Sequence, residues 1–158
     1  MEGRLEHADA AYIRDRIGAT WGFPIISTTG AYNGPDELKG LVWRDESEQI
    51  LGLVTWFVKG NWAEIVTLDA YEQGRHIGGR LLDAAEAELL EYGVRWVSIT
   101  TTNDNIRAIA FYLRRGYRIV KVELEGMERV RAVKPSVPLE GHEGLPLRDM
   151  LEFERAIG

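Results

Sequence analysis

Apolar and polar positions follow two different periods along this chain. In the first half, apolar residues come in short runs: Leu41-Val42-Trp43, then Ile50-Leu51-Gly52-Leu53-Val54-Thr55-Trp56-Phe57, then Trp62-Ala63-Glu64-Ile65-Val66-Thr67-Leu68. Polar, turn-forming segments separate them, Asp45-Glu46-Ser47-Glu48 after the first and Lys59-Gly60-Asn61 after the second. Short runs bounded by such punctuation predict strands joined as hairpins, an antiparallel meander. Pro24-Ile25-Ile26-Ser27 adds a candidate edge strand, and a first helix is predicted from an Asp9 N-cap to about Ile17, with Ile13 and Ile17 on one face.

The second half switches to helical spacing. From Gly78 to Tyr92, the residues Leu81, Leu82, Ala85 and Leu89 recur on one face, and Gly93 stands where a C-terminal cap belongs. A β-branched run, Val94 to Thr101, leads to a second helix from Asn105 to Arg115, closed by Gly116, and Tyr117 to Glu123 reads as a further strand. Strand, helix, strand implies a parallel pair with a crossover. In the tail, Leu124 to Val133 reads as a short helix, Lys134 to Pro138 as its break, and Met150 to Ile157 as a last strand. The expected fold is α/β: one domain over residues 1–158, a mixed sheet with an N-terminal meander and a central βαβ unit, and flanking helices.

Composition narrows the chemistry. The 158 residues include no cysteine, which excludes disulfides, a thiolate nucleophile and cysteine-held zinc. His7, His76 and His142 lack metal-ligand spacing, so no metal is expected. A net charge of −6 speaks against a nucleic-acid partner. No apolar run suggests a membrane span and the start lacks the apolar core of a secretory signal, so a cytoplasmic protein is the default expectation.

Gln73-Gly74-Arg75-His76-Ile77-Gly78-Gly79-Arg80 lies between a strand and a helix. Glycines allow close approach, and a helix start offers unpaired N–H groups, which together can seat a phosphate. The phosphate-loop pattern fails because Arg80-Leu81 stands where Lys-Ser or Lys-Thr belongs, and the dinucleotide glycine spacing is missing. A tight turn with no ligand is the competing reading. In the following helix, Ile106, Ile109, Ala110 and Leu113 form the stripe expected to face the core. Asn105, Ala108 and Tyr112 share another face, suited to a closely approaching ligand or simply to a half-buried packing tyrosine.

With these two motifs in order, the stretch from Glu64 to Val120 resembles the GNAT acetyltransferase superfamily. The resemblance rests on the Gln-x-x-x-x-Gly turn and on Asn105-Ile106-Arg107-Ala108-Ile109-Ala110-Phe111-Tyr112 ending in Gly116-Tyr117. It implies a splayed parallel strand pair that holds acetyl-CoA as co-substrate. Leu68 backbone would meet the thioester, the N–H groups of Gln73, Gly74, Arg75, His76, Ile77, Gly78 and Gly79 the pyrophosphate, and Asn105 the pantetheine, with Tyr112 near the sulfur. The chain departs from the family at His76, where glycine is usual.

The activity so implied is transfer of an acetyl group to an amine by direct attack in a ternary complex, since there is no cysteine to carry an acyl-enzyme. Tyr112 is the candidate acid for the leaving thiolate, its phenol having an ordinary pKa of ~10. Glu64 is the candidate base through a water, because even spacing places it on the strand face of Leu68; a merely salt-bridged glutamate is the competing reading. Thr67 and Thr101 are weaker candidates for ordering that water. Trp21, Tyr32 and Trp56 are candidate acceptor-pocket residues, and the acidic balance favours a cationic small-molecule or protein amine. A non-catalytic acyl-CoA-binding domain is the alternative, and a homodimer is compatible with either.

Overall fold

The computed structural model describes residues 3–20, 22–72 and 74–158. The fold is α/β with a mixed sheet, as expected. By contact the chain divides into two compact units, Met1–Ile25 with Tyr32–Val97 and Ala156–Gly158, and Ile26–Ala31 with Ser98–Arg155.

The first unit is built on the meander. After two short strands, β2 (Ile25–Ile26) and β3 (Ala31–Tyr32), the strands β4 (Lys39–Asp45), β5 (Ile50–Lys59) and β6 (Trp62–Ala70) pair antiparallel in sequence order. The hairpin between β4 and β5 is fixed by its own aspartate: Asp45 Oδ1 accepts the N–H groups of Ser47 and Gln49, each at 2.9 Å. The sequence pattern does not announce the two-residue strand at Ala31–Tyr32, nor β1 (Gly3–His7), which pairs antiparallel along β4. Its segment Gly-Arg-Leu-Glu-His has a single large aliphatic residue and no alternation, so backbone pairing places it there. The first helix α1 (Ala10–Thr20) starts where predicted, with Asp9 Oδ1 accepting the Tyr12 N–H at 2.7 Å.

Ile13 and Ile17 of α1 enter a core with Tyr32, Leu38, Val42 and Leu53 on one side of the meander. The other side is covered by α2 (Ile77–Glu91), whose Ile77, Leu81, Leu82, Ala85 and Leu89 are buried. Gly93, at φ 89, closes α2 in the conformation only glycine adopts without cost. The next strand, β7 (Trp96–Thr102), begins beside the start of β6, the Arg95 and Trp96 N–H groups both reaching the Asn61 carbonyl, at 2.6 and 3.2 Å. The two strands run parallel, with α2 as the crossover of a βαβ unit. The strands on either side of the next helix, read from the sequence as such a pair, are not neighbours, because the last strand stands between them.

In the second unit the strand order is β7, β9 (Met150–Ala156), β8 (Arg118–Glu123), with β8 and β9 antiparallel. The outer strand β8 has a bulge at Val120 and presents Lys121 mid-strand, both of which discourage pairing with another edge. Helix α4 (Gly126–Val133) packs Met127 and Val130 on Met150. The turn after β7 is a latch. The Asn103 Oδ1 accepts the N–H groups of Arg148 and Asp149, and its Nδ2 donates to the Pro146 carbonyl. Beside it Asp104, 2% exposed, accepts from the Thr102 hydroxyl and from the His142 N–H.

Helix α3 (Ile106–Arg114) corrects one expectation. Ile106 and Leu113, read as core-facing, are 50% and 46% exposed, whereas Tyr112 is 8% exposed. Of the stripe carrying Asn105, Ala108 and Tyr112, the tyrosine is buried and the other two are half-buried, as are Ile109 and Ala110 of the expected core stripe. What turns the tyrosine inward is aromatic: the Tyr112 ring lies 5.5 Å from Phe153 and 6.0 Å from Tyr117, two fully buried rings.

Two substitutions test this architecture. A Cβ at Gly52 would stand 2.7 Å from the Asp69 carbonyl and from Ile77 Cγ2, and 2.8 Å from Leu81 Cδ1. Gly52→Ala should therefore lower the unfolding free energy by about 2 kcal/mol or more in urea titration, because β5 and α2 must part. His76, exposed at φ 57, holds a left-handed conformation that costs a side chain about 1–2 kcal/mol. His76→Gly should keep or raise stability, by up to ~1 kcal/mol after the greater chain entropy of glycine is subtracted.

Candidate active site

The candidate residues of the first unit lie on β6 and on the turn that follows it. Register decides what β6 presents. Val54 of β5 faces Leu68 and Thr55 faces Thr67, but Trp56 faces Ile65 and Phe57 faces Glu64. Where β5 takes one step β6 takes two, so Val66 is the extra residue of a bulge. Directly opposed residues share a face, and β5 alternates without interruption from Gly52 to Phe57, its irregularity against β4 falling earlier, at Leu51. Glu64 and Thr67 therefore lie with Leu53, Thr55 and Phe57, on the side of α1. Leu68 and Ile65 lie with Val54 and Trp56, on the side of α2. The even-spacing expectation that joined Glu64 to Leu68 fails at the bulge.

Glu64 is 1% exposed, so it is not a surface glutamate. The Tyr32 hydroxyl donates to its Oε1, and Tyr32 is itself 5% exposed. On the same face the hydroxyls of Thr55 and Thr67 bond one another at 2.7 Å. Three polar side chains of β5 and β6 are thus gathered under α1 with Tyr32, a concentration that a purely structural core has no need of. Trp56, expected to line an acceptor pocket, is 1% exposed in the core on the α2 side and cannot do so. Trp21, the other aromatic so expected, lies outside the described residues.

The glycine turn opens α2. Gln73 lies outside the described residues; Gly74 at φ 78 and His76 at φ 57 are both left-handed. His76 is thus a side chain at a position whose backbone suits glycine, and being exposed it leaves the turn's shape intact. A Cβ built on Gly74 meets no atom within 4 Å, so this part of the turn stands open. Backbone that alternates handedness directs successive N–H groups inward, and here it runs into the first turn of a 15-residue helix. The flanking arginines are engaged locally: Arg75 pairs with Glu72 at 2.7 Å, and the Arg80 guanidinium lies 5.3 Å from the Trp43 ring centroid. What the turn can offer a ligand is therefore chiefly its backbone N–H groups, with the Glu72 charge offset by Arg75.

In the second unit α3 carries the other two candidates. Asn105 is its N-cap, Oδ1 accepting the Ala108 N–H at 3.2 Å, so Asn105 is oriented by the helix it starts. Tyr112, two turns further along the same stripe, is held by its aromatic neighbours as described. Among the described residues there is no group of three or more His, Cys, Asp or Glu side chains suited to a metal ion, and no helix long and apolar enough to cross a membrane.

Comparison with known proteins adds sequence and fold relatives. A Bacillus subtilis (strain 168) protein, YxbD, named as uncharacterized, is 38% identical over 132 residues, which is 83% of this chain and 82% of that protein. An IAA acetyltransferase from Bacillus cereus ATCC 14579 superposes with a TM-score of 0.77 at 17% identity, covering 99% of this chain and all of that one. A GNAT family acetyltransferase from Elizabethkingia anophelis, with acetyl-CoA bound, superposes with a TM-score of 0.74 at 14% identity, covering 98% of each chain. The family model for the acetyltransferase (GNAT) family matches residues 11–117, from α1 through the end of the α3 motif, and the chain belongs to that family.

Proposed function

We propose that this chain is an acetyl-CoA-dependent N-acetyltransferase, acting as a single domain on a cationic amine by direct transfer in a ternary complex. The observation that carries this reading is the backbone of residues 74–79. The left-handed backbone at Gly74 and His76 and the place at a helix start suit a pyrophosphate, and the motif resemblance expects that contact there. The donors there fit the group: they are N–H groups at the positive end of a helix dipole, an arrangement worth up to ~2 kcal/mol for an anion.

Acetyl-CoA supplies the acetyl group as a thioester. On the family pattern, Gly74, Arg75, His76, Ile77, Gly78 and Gly79, with Gln73, hold the pyrophosphate through backbone N–H groups. The Leu68 N–H stabilises the negative charge that develops on the carbonyl oxygen. Asn105, fixed by its capping bond, contacts the pantetheine, and the Tyr112 hydroxyl delivers a proton to the departing sulfur. Glu64 takes the ammonium proton of the acceptor through water. Its burial requires that relay, because a carboxylate 1% exposed does not itself meet the acceptor.

Release of free thiol in the presence of a panel of polyamines, aminoglycosides, amino acids and peptide amines, run with acetyl-CoA, tests the activity. Turnover with at least one cationic amine is expected; tight CoA binding with no turnover across the panel would replace this reading by a non-catalytic acyl-CoA-binding one. With an acceptor in hand, Tyr112→Phe should keep CoA affinity in calorimetry, since the ring packing is unchanged, and lower kcat on the order of 10²-fold. Unaltered kcat would leave Tyr112 as part of the wall and give the proton transfer to water.

A further inference from the structure

We infer that Tyr32 is a positioning residue for Glu64, its hydroxyl holding the carboxylate in one rotamer and in the ionised form that accepts a proton. The inference rests on the proposed role of Glu64 as base. It begins from a conflict in the core. Burial disfavours a charged carboxyl, and an unsupported glutamate at 1% exposure would hold its proton and be useless as a base near neutral pH. A donor aimed at the carboxylate opposes that effect, because a hydrogen bond to the charged form favours it.

Tyr32 is placed to act so. It belongs to a two-residue strand, Ala31–Tyr32, and its ring sits in the α1-side core, tilted 51° on Phe57 with centroids 5.4 Å apart. Phe57 is the register partner of Glu64, so the residue that seats the tyrosine ring and the residue that receives its proton donor are opposed across β5 and β6. The ring fixes the hydroxyl, and the hydroxyl fixes the carboxylate.

The charged and titratable groups on the elements around this face have other engagements. Arg16 of α1 stacks over Tyr71, 3.8 Å from its ring centroid. Tyr12 bonds the Tyr71 hydroxyl at 3.3 Å, and Tyr71, its phenol pushed well above the usual range chiefly by burial, stays neutral. Arg14 pairs with Asp15 at 3.1 Å, and Glu37 accepts the Asn33 N–H at 3.1 Å. Asp69, opposite Leu53 in register, is the remaining carboxylate of this face of β6, farther along the strand beyond Thr67. Thr55 and Thr67 do not titrate.

The test combines a direct titration with a rate profile. In protein labelled with ¹³C at the glutamate carboxyl and free of ligands, the Glu64 resonance is the one lost in Glu64→Gln. Its midpoint should rise by about one pH unit in Tyr32→Phe, which keeps the ring and removes the donor. Tyr32→Met, lacking the donor but filling the space flexibly, should give a rise of the same sign and serves if the phenylalanine variant folds poorly. The ascending limb of kcat/KM against pH should move up with the midpoint, with CoA affinity unchanged. Tyr12→Phe, which removes from the same core a hydroxyl that bonds Tyr71, should leave Glu64 within a few tenths of a unit. An unmoved Glu64 midpoint in the Tyr32 variants overturns the inference while leaving the base assignment standing, provided Glu64→Gln abolishes the limb. A moved midpoint with an unmoved limb, together with a limb retained in Glu64→Gln, overturns the base assignment and this inference with it.

Discussion

One inserted residue governs the chemistry of the first unit. Without the bulge at Val66, strict alternation along β6 would set Glu64 on the face of Leu68 and bury it against α2, among Val54 and the leucines of that helix. With it, the strand changes sides between Ile65 and Thr67. The glutamate then arrives under α1, where Tyr32 can reach it, while Leu68 stays on the α2 side, near the element that begins with the glycine turn. A charged group in the α2-side core would lack a donor among those aliphatic neighbours, and its cost would fall on the fold as a whole. The placement of the carboxylate is thus a matter of backbone register before it is one of side-chain chemistry.

The elements whose signals are local were legible in the sequence. Asp45 announces its hairpin because its carboxylate serves the turn's own N–H groups, and Gly93 and Gly116 mark helix ends because their left-handed backbone excludes other residues. Asp9 and Asn105 likewise bond to N–H groups a few residues away. What stayed hidden is what only a distant partner decides. The strand at Gly3–His7 exists because β4 is there to pair with it. The apolar stripe of α3 pointed to Ile106 and Leu113 as core, but the rings of Phe153 and Tyr117 draw Tyr112 inward in their place. A bulge has no composition of its own, and the counting of even positions on β6 could not detect it.

The candidate site divides along the same line. Its turn and the Asn105–Tyr112 stripe were readable because each is a short motif whose neighbours in sequence are its neighbours in space. The departure at His76 falls on a left-handed backbone that glycine would adopt freely, and the histidine adopts it at a cost its exposed side chain does not repay. Tyr32, thirty-two residues from Glu64, could be suspected only as an aromatic of the acceptor region, since nothing in its surroundings names the carboxylate it serves.

The latch at the end of β7 bears on how such a protein can change. Asn103 holds Pro146, Arg148 and Asp149 through main-chain atoms alone, and Asp104 takes the main-chain N–H of His142. A clasp on main chain is blind to which side chains the clasped segment carries. Residues between Gly141 and Asp149 can therefore be exchanged while the segment keeps its course, except Gly141 against the Asp104 carboxylate, Gly144 at φ 73 and Leu147 on the core under α4. The two anchor residues give the second unit a frame in which the decoration of one long connection is free to drift across lineages, and new surface recognition can arise there without a new fold.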